Sequence, residues 1–133
     1  MRSIRATFSE IITIRLNTGE DILASIEGEL SKQGVKHGII LTGVGSIKDY
    51  HIHVVKTTRI PPGNVFKKKS GAFDLLSVTG YIMDGRVHAH ISLSDEYGAI
   101  GGHLELGCTT LTFCIVSIGV VTDADFTNLD QYR

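Results

Sequence analysis

Cysteine, excess charge and long apolar runs are all scarce in this chain, and each scarcity excludes something. The two cysteines are Cys108 and Cys114. On one extended strand, six residues at about 3.3 Å each would hold them roughly 20 Å apart, too far for a disulfide. They read as small buried side chains in a reducing compartment, and no thiol chemistry is expected. Thirteen Lys and Arg against fourteen Asp and Glu leave a net charge of −1, so the chain lacks the overall basic excess that phosphate-backbone binding usually brings. No stretch approaches the roughly 20 apolar residues of a membrane helix, so no membrane partner is expected. The opening Met1-Arg2-Ser3-Ile4-Arg5-Ala6 is basic but lacks the apolar segment of a secretory signal. The expectation is a cytoplasmic protein.

What is present suffices for one domain over residues 1–133, with its core at about residues 10–121. A hydrophobic fraction of 42% and a charged fraction of 20% are those of a globular protein. Glu10 to Leu16 is short and β-branched, a strand. Asn17-Thr18-Gly19-Glu20-Asp21 then announces a helix, with Thr18 as cap and Asp21 in the place of a capping-box acid. Ile22, Leu23, Ile26 and Leu30 form its apolar face, and Gly34 suits the left-handed residue past its end. The remainder reads as strands: Gly38–Ile47, Tyr50–Lys56, Phe73–Met83, Arg86–Ser94, Ala99–Leu106 and Thr109–Val121. Short turns between them favour antiparallel neighbours. The class is therefore α+β, mostly antiparallel sheet with one main helix. Thr109–Val121, apolar on both faces, is expected at the centre. Thr57–Gly71 is the longest expected loop, and the polar residues from Thr122 onward are expected to fray.

The chemistry concentrates on one hairpin. Along Arg86–Ser94, Val87, Ala89, Ile91 and Leu93 face one way and His88, His90, Ser92 and Ser94 the other. In the next strand, Ile100, Gly102, Leu104 and Leu106 share the apolar face, and Gly101, His103 and Glu105 the polar one. A four-residue loop Asp95–Gly98 would pair Ser94 with Ala99, His90 with His103 and His88 with Glu105. A slip by one residue would mix the two faces. Opposed Cβ atoms lie about 4.5–5.5 Å apart, so three imidazoles can converge on one ion. Neutral imidazole suits Zn²⁺, and three protein ligands leave a position open. Glu105 has four readings: a fourth ligand, a partner that orients His88, a proton-transfer group, or a plain surface carboxylate. His51-x-His53 is a second pair on one strand face. With no third histidine near in sequence, it reads as ordinary strand histidines, and His37 carries no argument. Gly43-Val44-Gly45-Ser46 lacks the pattern of a nucleotide loop. Its glycines more simply permit a bulge or close strand approach.

These residues also carry a resemblance. Leu16…Gly19-Glu20-Asp21-Ile22-Leu23, Gly43-Val44-Gly45-Ser46-Ile47 and Leu76-Ser77-Val78-Thr79-Gly80 resemble the PPC domain (plant and prokaryote conserved domain, domain of unknown function 296). So do His88-Ala89-His90-Ile91-Ser92-Leu93-Ser94-Asp95 and Gly101-Gly102-His103-Leu104 with Gly107-Cys108. The resemblance spans about Glu10 to Val121 and implies a stand-alone prokaryotic member, a mostly antiparallel sheet and a homotrimer. Plant members join the domain to AT-hook segments with an Arg-Gly-Arg core that binds A·T-rich minor grooves. This chain has no such core, so DNA binding is not carried over wholesale. At fold level the domain is similar to acetolactate decarboxylase and to a zinc-dependent ester hydrolase. Both hold zinc with three histidines including a His-x-His, a parallel that maps onto His88, His90 and His103.

Three functions follow. The favoured one is a trimeric regulatory or interaction module with a protein or DNA partner and a structural or sensing zinc. Lys56, Arg59, Lys67, Lys68 and Lys69 give one region a local basic excess, and Lys67, Lys68 and Lys69 are its candidate phosphate contacts. The alternative is a zinc enzyme of decarboxylase or ester-hydrolase type acting on a small carbonyl substrate, with Glu105, Ser92 and Arg86 as helpers. The third is a metal-free trimer seam lined by the histidines.

Overall fold

A computed structural model describes residues 1–132. Its elements run β1 (Glu10–Asn17), α1 (Ile22–Lys32), β2 (His37–Val55), β3 (Asn64–Met83), β4 (Arg86–Ser94), β5 (Ala99–Leu104) and β6 (Thr109–Val121). All strands belong to one antiparallel sheet in the order β1-β6-β2-β3-β4-β5. The α+β expectation holds, and β6 lies inside the sheet as its two-sided apolar pattern implies. β5 also pairs back onto β2, through Ile52–Leu104 and His53–His103. Strands β2, β3, β4 and β5 therefore close into a ring of pairings.

That closure needs glycine. A Cβ on Gly101 would meet the Ile91 carbonyl oxygen of β4 at 2.7 Å, and one on Gly102 would meet the His53 carbonyl oxygen of β2 at 2.6 Å. The Gly101-Gly102 pair thus lets β5 lie tightly between two neighbours. Gly45 serves the same end between β2 and β6, where a Cβ would lie 2.1 Å from the Phe113 carbonyl oxygen. This is the close strand approach expected of the Gly43–Ser46 stretch.

Inside the sheet, Ile47, Ile52, Leu75, Ile82, Ile91, Leu93 and Leu104 are almost fully buried, and Ile22, Ile26 and Leu30 of α1 complete the core. Removing this much apolar surface from water is the main force holding the strands together.

Several expectations need correction. The helix cap is Asp21, whose carboxylate accepts from Ala24 N at 2.9 Å and from Gly107 N at 2.6 Å. Thr18 instead donates to the Thr112 carbonyl at 3.2 Å, because Gly19 at φ +88° turns the chain before the helix begins. Gly38–Ile47 and Tyr50–Lys56 are one strand, β2, with its register shifting between Ile47 and Asp49 instead of breaking into a turn. The expected Thr57–Gly71 loop is mostly strand: β3 begins at Asn64 and pairs with β2 from Val55 onward. β5 ends at Leu104, and Leu106 is 59% exposed rather than part of the apolar face. The described residues after Val121, 122–132, do not fray. Phe126 is 4% exposed and packs with Met83 and Val121, joined by Leu129.

Cys108 and Cys114 are buried and unpaired, as expected. The Cys108 thiol donates to the His51 carbonyl, and burial pushes its pKa up to about 11. A thiol held this far above neutrality reacts slowly, since the thiolate is the nucleophile. At pH 8 the folded protein should take up almost no iodoacetamide over a time in which the denatured chain takes up two equivalents, counted by intact mass.

Candidate metal centre

Strand alternation sets the first part of the site. Val87, Ala89, Ile91 and Leu93 are buried, which turns His88 and His90 of β4 outward. The hairpin register pairs Ser94 with Ala99 and His90 with His103, as the alternating pattern requires. Closure onto β2 then places His53 across from His103. His90, His103 and His53 stand in a row across three strands, with His88 one pleat along.

The ring centroids of His88, His90 and His103 form a triangle with sides of 4.8, 5.6 and 5.7 Å. His53 stacks on His103 at 4.3 Å. The side chains of His53, His88 and His103 are 19%, 31% and 23% exposed, so the group is shielded yet reachable. Burial lowers the pKa of both His90 and His103. Neighbouring imidazoles add to the effect, His88 and His53 on His90, and His53 then His88 on His103. For His103, Glu105 opposes that shift. Both rings are thus biased toward the neutral form that ligates a metal.

Glu105 does not sit opposite His88. The strand ends at Leu104, and Glu105 N bonds the His51 carbonyl at 3.1 Å, which swings its side chain toward β2. There its carboxylate accepts from Nδ1 of His53 and, at 3.0 Å, from Nδ1 of His103. The partner of His88 is Asp130, whose Oδ2 lies 2.8 Å from its Nδ1, while Oδ1 accepts from Arg86 Nη2 at 2.9 Å. Burial alone would raise the Asp130 pKa, but these two donors hold it down to about 2. Three histidines therefore rest one ring nitrogen on a carboxylate, the arrangement that orients imidazoles around an ion.

His53 and Asp130 escape a reading of the sequence. The pairing of His53 with His103 is a contact across fifty residues of chain that no local pattern announces; its one signal was the His51-x-His53 alternation. His51 itself is held away, with Nδ1 2.7 Å from the Leu106 carbonyl oxygen. Asp130 was hidden in a polar tail whose signal was its apolar anchors, Phe126 and Leu129.

The donor chemistry, imidazole nitrogens with carboxylates beside them, fits a metal ion such as zinc. Imidazoles bound at about 2.0–2.1 Å in a tetrahedron hold their ring centroids roughly 5 Å apart, close to the observed triangle. The donor atoms that lie within 4.8 Å of one another are those of His53, His103 and Glu105, so of the three ligands expected from the sequence this group includes His103 and not His88 or His90. A cavity of about 540 Å³ opens beside His88 and His90, walled by Tyr81, Met83, Leu129 and Asp130. Ser92 lies across from Gly101, and Arg86 is engaged with Asp130.

Lys67, Lys68 and Lys69 are exposed on β3, opposite Ile52, His51 and Tyr50. Successive strand residues point to opposite faces, so the triplet divides its charge between two surfaces.

Residues 4–122 match the Plants and Prokaryotes Conserved (PCC) domain. The chain belongs to this family. It is 28% identical over 104 residues to the bifunctional protein GlmU of a Synechococcus strain, a match that covers 77% of this chain. The chain spans 16% of the length of that curated relative. The same fold occurs in a metal-containing protein from Archaeoglobus fulgidus (TM-score 0.79, 21% identity, 92% of this chain and 86% of that one). It occurs also in a candidate DNA-binding protein from Bacteroides thetaiotaomicron (TM-score 0.75, 16% identity, 90% of this chain and 86% of that one). All four clustered histidines and Glu105 fall inside the PCC match. Asp130 falls outside it.

Proposed function

We propose that this PCC-domain chain is a homotrimeric regulatory or interaction module built around a zinc site, with His88, His90 and His103 as ligands. The observation that carries the reading is the closure of β5 onto β2, which gathers four imidazoles and a carboxylate at one place. His53 and Glu105 stand beside His103, either to complete the shell or to orient it. The archaeal neighbour described as metal-containing supports the same view. When bound, such an ion supplies Lewis acidity and a link between strands far apart in sequence. The trimer reading draws on exposed apolar side chains: Val44 of β2 and Leu76 of β3 are 52% and 53% exposed. The register that pairs Gly45 with Leu75 brings those two side by side.

Protein purified without added metal should carry about one zinc per chain by elemental analysis and elute as a trimer by light scattering. A metal content near zero that added zinc does not restore would end the metal reading, and a monomer would end the trimer.

DNA is the favoured partner to test. Exposed Lys67 and Lys69, which alternation places on one face of β3, and the Bacteroides neighbour support it. Binding should appear at low salt and weaken steeply as salt rises, because phosphate contact releases counterions. No shift of duplex DNA at low salt would leave a protein partner in its place.

The cavity beside His88 and His90 favours a second reading, a zinc enzyme on a small carbonyl substrate. Turnover that His90→Ala abolishes would support it, and a metal shell closed by four protein ligands would count against it.

A further inference from the structure

The carboxyl-terminal tail is fixed to the site by more than packing. Phe126 packs edge-on to both His37 and Tyr81, each at a 5.9 Å ring separation, and its backbone N–H donates to His37 Nδ1 at 3.3 Å. Leu129 joins Phe126, Met83 and Val121 in a small apolar cluster, and with Met83 it lines the cavity beside His88 and His90. These anchors deliver Asp130, whose side chain is 13% exposed, to a bidentate position: one oxygen on His88 Nδ1, the other on Arg86.

We propose that Asp130 is a positioning residue that fixes the His88 ring with its proton on Nδ1, so that Nε2 faces the site, and that the tail is thereby a working part of the centre. The inference rests on the metal reading for its consequence, but its first claim concerns the protein alone. A neutral imidazole can carry its proton on either nitrogen, and a carboxylate acceptor at Nδ1 selects one. Arg86 holds the second carboxylate oxygen, so the acceptor cannot swing away without losing an ion pair. Coupling is reciprocal: if docking of the tail strengthens metal binding, metal binding strengthens docking by the same factor.

Two measurements test this. The tautomer of His88 in the metal-free protein at pH 8 is read from two-bond nitrogen–proton correlations. Wild type should show His88 protonated on Nδ1, and Asp130→Ala should shift it toward the Nε2 form. A wild-type His88 protonated on Nε2 would overturn the proposal whatever the metal does. Zinc affinity is then measured by competition with a chromophoric chelator. Asp130→Asn should weaken it roughly 10- to 100-fold, the range for partners that orient a ligand. Asp130→Glu should recover part of the loss. Glu96→Gln, which alters an exposed carboxylate of the β4–β5 turn away from the tail, should change nothing. Zinc bound equally by wild type and Asp130→Asn would refute the proposal with the metal reading intact. If wild type binds no zinc, the metal reading fails alone and the tautomer decides the role of Asp130.

Discussion

Changing His103 to alanine is expected to lower zinc affinity by on the order of a hundred- to a thousandfold, with little effect on the stability of the metal-free protein. His103 is the shared member of the cluster. Its ring lies within 4.3–5.6 Å of His53, His88 and His90, and its Nδ1 meets Glu105. Structural zinc sites draw roughly 10–16 kcal/mol from about four ligands, so one ligand is worth about 3 kcal/mol, or about two to three decades in affinity. The ring is part-exposed and packs on other imidazoles, not on the apolar core, so its removal opens no large cavity. Calorimetric titration with zinc and a melting curve in chelator separate the two effects. A variant that binds zinc as wild type does would remove His103 from the site.

Gly102→Val should do the reverse and damage fold and site together. The added carbon would meet the His53 carbonyl oxygen at 2.6 Å, with the Val54 side chain at 3.1 Å. Neither backbone can yield without opening the β2–β5 pairing. Overpacking of this kind costs about 1–3 kcal/mol, and forcing two strands apart lies at or above the upper end. The melting temperature should fall by roughly 10 °C. Zinc binding should be lost as well, since His53 and His103 face each other only through that pairing. Gly98→Ala is the control. It has open space around it and should leave both readouts unchanged.

How much of this was legible in the sequence follows from the range of each interaction. The β4–β5 hairpin was legible because its register is set by four turn residues and an unbroken alternation, and a slip would expose Ile91 and Leu93. Helix α1 was legible from Ile22, Ile26 and Leu30, though its cap was displaced from Thr18 to Asp21 by a glycine turn. The joining of Gly38–Ile47 to Tyr50–Lys56 was not legible, because Ser46-Ile47-Lys48-Asp49 has the composition of a turn while serving as a bulged strand. Closure of β5 onto β2 was invisible for a deeper reason. It depends on what Gly101 and Gly102 omit, and the absence of side chains marks a close approach without saying to whom. His53 and the true place of Glu105 were lost with it. The tail misled by its polarity, since Phe126 and Leu129 are enough to dock the segment 122–132 that carries Asp130.

The proposed zinc site requires that strands β4, β5 and β2 bring their histidines to a single ion. An anomalous difference map at the zinc edge, from crystals of protein purified without chelator, measures it directly. The prediction is one peak per chain, within about 2.0–2.1 Å of imidazole nitrogens of His88, His90 and His103. Zinc bound elsewhere on the chain, with those rings left unligated, would contradict it.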